Sequence, residues 1–167
     1  MKIVTIFDDR LYAIQYQDEF DNEFDRLLEL WSDVTFLFAF AKNHHLKNIP
    51  VFVNKILLDV EQVQDFLERL EQNHHPFRFY FEPLQNSEQK KVLAFHKGKI
   101  KQNQLRFYAI KIDENCFLIT GGAIKMSQKM MDHPDTAIEL VKLKKVKEYL
   151  IQNGVFDDAS FFELIIE

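Results

Sequence analysis

The stretch HKGKIKQNQLRFYAIKI, residues 96–112, gathers His96, Lys97, Lys99, Lys101, Arg106 and Lys111. Read as a strand, QLRFYAIKI turns Gln104, Arg106, Tyr108 and Ile110 to one face and Leu105, Phe107, Ala109 and Lys111 to the other. An arginine and a tyrosine two positions apart on one face suit RNA. The guanidinium pairs with phosphate and the ring stacks on a base. Two of the four glycines, Gly121 and Gly122, then stand side by side after the apolar run NCFLIT, with Lys125 and Lys129 just beyond. The glycines are expected to close a strand and turn the chain sharply, with positive φ. That turn would bring Lys125 to the same edge as Arg106. The same residues also fit a structural role, with Arg106 in a salt bridge and Tyr108 half-buried in a sheet.

Other chemistry is sparse. Neither GxGxxG nor GxxxxGK[ST] occurs, so no nucleotide-binding loop is expected. The single cysteine, Cys116, excludes an internal disulfide and a cysteine-rich zinc site, and reads as a small buried hydrophobe. His44-His45 and His74-His75 each fall at the end of a predicted helix, at opposite ends of a helical hairpin. No metal or other cofactor is expected from them. The acids follow helical surface spacing, and no catalytic carboxylate pair stands out.

Charge divides the 167 residues into three parts within one expected domain. Residues 1–87 carry 8 Lys and Arg against 15 Asp and Glu. Residues 88–154 carry 13 against 7, and residues 155–167 carry four acids and no Lys or Arg. The net charge of −5 argues against generic nucleic-acid binding, while the basic middle part fits a local anion-binding face. Seventeen phenylalanines against one tryptophan predict an aromatic core and an apolar surface patch for a partner. The start, MKIVTIFDDR, does not read as a signal peptide, and no apolar run approaches the ~20 residues of a membrane span. A cytoplasmic protein without membrane contact is expected.

These residues need elements to hold them. KIVTIF and LYAIQY predict an N-terminal hairpin around DDR. Residues 19–44 read as one amphipathic helix, with Phe20, Phe24, Leu27, Leu28, Trp31, Val34, Phe38 and Ala41 on its stripe. A second helix follows from Pro50, packed antiparallel to the first. The aromatic run 75–84 reads as a short strand or a core-plugging loop. Strands are expected at 91–98, 104–112 and 115–122, then a helix at 133–154 capped by Asp135 and stopped by Gly154. Ile138, Val141, Leu143, Val146 and Leu150 are placed on or near its apolar face. A short helix ends the chain. The class is α+β with a mainly antiparallel sheet.

The segment LRFYAIKIDENCFLITGGAIKMSQKMMDHPDTAIELVKLKKVKEYL, residues 105–149, resembles the C-terminal half of RelE/HigB-type toxins, notably the phage-derived HigB-like branch. The likeness extends over roughly residues 90–150. Arg106 stands for the family's strand arginine, NCFLIT for its second apolar strand, GGAIKMSQK for the turn with lysines, and HPDTAIELVKLKKVKEYL for the closing helix. Where the family has two adjacent lysines after the turn, this chain has Lys125-Met126 and a later Lys129. The resemblance implies a RelE/ParE-like fold and the toxin component of a bacterial type II toxin–antitoxin system. It implies a metal-free endoribonuclease acting on mRNA at the ribosome, neutralised by a cognate antitoxin. In that scheme Arg106 and Lys125 stabilise the phosphate, Tyr108 stacks or transfers a proton, and Lys97, Lys99, Lys101 and Lys129 bind RNA. Two alternatives stay open: a non-catalytic protein-binding module on the same fold, and a small-molecule enzyme.

Overall fold

A computed structural model describes residues 1–126 and 134–166, with Pro134 and Asp135 described by their backbone alone. One six-stranded sheet runs through the molecule in the order β1-β2-β6-β5-β4-β3. The strands are β1 (Lys2–Phe7), β2 (Leu11–Gln15), β3 (Phe81–Pro83), β4 (Phe95–Gly98), β5 (Leu105–Asp113) and β6 (Cys116–Ile124). Every pairing is antiparallel except β2 with β6, where Leu11–Ala13 run parallel to Phe117–Ile119. The N-terminal hairpin therefore joins the sheet beside its last strand. Among the described residues no helix is long and apolar enough to cross a membrane.

Helices cover both faces. On one side lie α1 (Glu23–Trp31), α2 (Val34–Asn43) and α3 (Ile49–Gln72). They pack against Leu105, Phe107, Ala109, Phe117 and Ile119. Trp31 and Phe24 hold Phe107 at ring distances of 5.1 and 5.2 Å. Enclosing each such ring removes enough apolar surface to contribute about 1.5–3 kcal/mol. On the other side, α4 (Pro134–Gln152) and α5 (Asp158–Ile166) cover Tyr12, Tyr108, Ile110 and Leu118.

Several expectations need correction. The helix expected over residues 19–44 is two helices. Asp33 accepts from the Thr35 and Phe36 N–H groups and starts α2 afresh, while Ser32 Oγ donates back to Leu28 O. Asn22 caps α1, so Phe20 lies outside it and is 98% exposed. Val34 and Phe38, placed on the stripe, are exposed as well.

The strand expected from residue 91 begins only at Phe95. Gly121 and Gly122 do not turn the chain: both lie inside β6, and neither has positive φ. Gly154 does, at φ 79, as its place after α4 requires. The helix α4 opens at Pro134, so Asp135 is not its cap, and its side chain lies outside the described residues. Its buried positions are Thr136, Glu139, Leu143, Val146 and Leu150, whereas Ile138 and Val141 are exposed.

A bulge explains how β6 serves both faces. Tyr108 pairs with Gly121 but Ala109 pairs with Ile119, which leaves Thr120 as the extra residue. The bulge shifts the alternation by one. Phe117 and Ile119 face α1–α3 before it, and Gly122 and Ile124 face that side after it. Without the bulge Gly121 would face Trp31 instead of α4.

Candidate anion-binding site and the pocket beside it

The basic stretch folds into the end of the sheet where β4 finishes, β5 begins and β6 finishes. Lys97 stands opposite Tyr108, and Arg106 opposite Ala123. One step past the ladder, the Lys125 N–H donates to Gln104 O at 2.7 Å. Arg106 and Lys125 thus leave neighbouring strands at one sheet end. Lys99 sits just beyond β4, and Lys101 is exposed in the loop that follows.

Arg106 is half-buried. Its Nη1 donates to Asn103 O at 2.5 Å and to Leu105 O at 3.0 Å. Among the described residues no carboxylate pairs with it. Burial holds its pKa below the usual arginine value, partly offset by Tyr108, Tyr80 and Glu82. A guanidinium has five N–H donors, so two carbonyls leave donors over for an oxyanion. Lys97 is also held below the usual lysine value, by burial first and by repulsion from Lys99 and Arg106. The nearest acid is Glu82, 3.3 Å from Lys99 Nζ and 4.0 Å from Lys97 Nζ. Asp59 also acts on Arg106, so Glu82 is not the only carboxylate near these cations.

Tyr108 does not join this group. It is 1% exposed, packed on the α4 side of the sheet, and burial pushes its hydroxyl up to about 12. A ring enclosed there stacks on no base and takes no proton near neutral pH. Lys129 lies outside the described residues. Tyr80, not among the residues expected at the site, has a buried hydroxyl near the Phe107 backbone, and its ring lies against Gly98.

Beside this end is a pocket of about 700 Å³ between α1, α2, α4 and the last residues of β6. Trp31, Phe36, Phe40 and Ile138 line its walls, and Gly122–Ile124 its floor. At its base is a charged network that sequence reasoning missed. Glu23 is fully buried and takes Arg26 in a bidentate pair through Nε and Nη2. Lys142 Nζ bridges Glu23 at 3.0 Å and Glu139 at 3.2 Å. Glu139 Oε1 accepts from the Gly122 N–H at 2.7 Å. Burial raises the Glu139 pKa, against the pull of Lys142, and the Glu23 charge adds to the rise. The Tyr16 hydroxyl donates to Thr120 O at 2.5 Å. These side chains stand where β2 has left β6, satisfying backbone groups that a strand would otherwise take.

The network ties α1 to α4 across the end of β6. Two features of the sequence could have signalled it, though neither was read that way: the adjacent glycines after NCFLIT, and Glu139 four residues before Leu143 on the α4 core spacing. Among the described residues no group of three His, Cys, Asp or Glu side chains has metal-binding geometry. Comparison with protein-family models, curated proteins and solved structures finds no match.

Proposed function

We propose that this chain acts on RNA as a RelE/HigB-like toxin in a bacterial cytoplasm, with a cognate antitoxin as its protein partner. The observation that carries the reading is Arg106, a half-buried cation with spare donors and no described carboxylate partner, at a sheet end shared with Lys97, Lys99 and Lys125. A phosphate there would meet charge already partly stripped of water, where electrostatic contacts are strongest. In cleavage by the RNA 2′-hydroxyl, Arg106 and Lys125 would stabilise charge building on phosphorus. Lys97, Lys99 and Lys101 would hold the flanking backbone. Tyr108 takes no part, because its ring is enclosed.

The test is a salt titration of single-stranded RNA binding, parent beside Arg106→Ala. Losing a phosphate contact should weaken binding about tenfold at low salt and flatten the logarithmic salt slope by about 0.7. Equal affinity and slope in parent and variant, with matched thermal melts, would remove the support.

A further inference from the structure

The surface around α2 carries an inference that goes beyond the RNA reading and stands whether or not Arg106 meets phosphate. A helix that is apolar on nearly all sides is ordinarily enclosed. In VTFLFAFAKN, however, only Leu37 and Ala41 are buried. Val34 and Phe38 are exposed, and Phe36 and Phe40 are half-buried along the 700 Å³ pocket. Across that pocket α4 offers Ile138, 56% exposed, while its carboxylate Glu139 is turned inward.

The pocket floor is backbone. The β5 register makes Gly121, Ala123 and Lys125 the hydrogen-bonded positions, so the N–H and C=O groups of Gly122 and Ile124 point away from β5. β2 pairs no further than Ile119. The Glu139 carboxylate takes the Gly122 N–H, while among the described residues nothing accepts from the Ile124 N–H, on the pocket-lining edge of β6.

One end of the groove is acidic. It continues past Arg26 and Leu30 into a hollow lined by Glu19, Asp21, Glu29 and Asp33. Arg26, the cation there, is taken up by Glu23.

We propose that this groove binds an extended segment of a partner protein, apolar side chains in the pocket and Lys or Arg over the acidic hollow. One residue of that segment pairs with Ile124 as a short added strand. Strand addition supplies affinity through the main chain, and side-chain pockets with opposite charge supply the choice of partner. The acidic hollow selects against an acidic segment.

The probe is a short synthetic peptide alternating Val and Phe with Lys, beside a twin carrying Glu for Lys, followed by fluorescence anisotropy and amide exchange. The basic peptide should bind about tenfold more tightly than its twin at low salt, with the gap closing at high salt. Binding should slow exchange at the Ile124 amide. Ile138→Arg and Ala39→Arg, at exposed rim positions, should each weaken it about tenfold while melting like the parent. Preference for the acidic twin, binding without protection of Ile124, or no binding by either peptide would overturn the proposal. So would self-association through this face in sedimentation, which would make a second copy the occupant.

Discussion

At Gly121 the place a Cβ would occupy is filled by the Glu139 carboxylate, and at Gly122 a Cβ would lie 2.6 Å from Arg106 O and 2.9 Å from the Trp31 ring. The glycines are there because α1 and α4 approach β6 from opposite faces. The sequence singled them out, but for a turn, since the groups that press on them lie elsewhere in the chain. Gly121→Ala should destabilise the fold by about 1–3 kcal/mol through overpacking. Adding Glu139→Ala should recover part of that loss, a coupling of about 1 kcal/mol read by urea unfolding of the four variants. Gly122→Ala should gain nothing from the same change, because its neighbours are backbone and Trp31. Glu139 also sets a pH dependence. Its folded pKa is raised, so the folded state holds its proton more tightly than the unfolded state. The stability it contributes is therefore lost as pH rises from the ordinary glutamate value, about 4.3, through the raised one. Unfolding free energies should fall more over that window in the parent than in Glu139→Gln; parallel curves would contradict the assignment.

Among the elements, the boundary between α1 and α2 shows how a two-residue signal overrides a long stripe. Ser32-Asp33 lies inside an apolar spacing that reads as continuous, yet the Asp33 carboxylate holds the Thr35 and Phe36 N–H groups and restarts the helix. Asp33→Ala should cost about 1 kcal/mol, visible as a fall in Tm of about 2–4 °C. An unchanged Tm would mean that packing of Leu37 and Ala41 alone sets the break. The start of α3 was legible because Pro50 acts locally; the Asn48 side chain, which accepts from the Val51 N–H, caps it in the structure. The exposed placement of Ile138 was not, because the Glu139 network decides which face of α4 turns inward. The Thr120 bulge was equally hidden, since alternation read along one strand cannot reveal an extra residue opposite its neighbour.

For the molecule as a whole, the α+β class and the mainly antiparallel sheet were readable from strand spacing and the two helical stripes. The parallel entry of β2 beside β6 was not, because it joins residues about a hundred positions apart. The sequence put Lys125 at the edge of Arg106 by way of a glycine turn; the turn is absent, and it is the β5–β6 register that brings both residues to one sheet end. It misread Tyr108, since strand alternation gives a side but not what covers that side. The central claim is that this end of the sheet acts on RNA. Growth of a bacterial host under tightly induced expression tests it most directly, comparing the parent with Arg106→Ala combined with Lys125→Ala. The account predicts that the parent stops growth and the double variant, folded and accumulating equally, does not. Normal growth with both would contradict it.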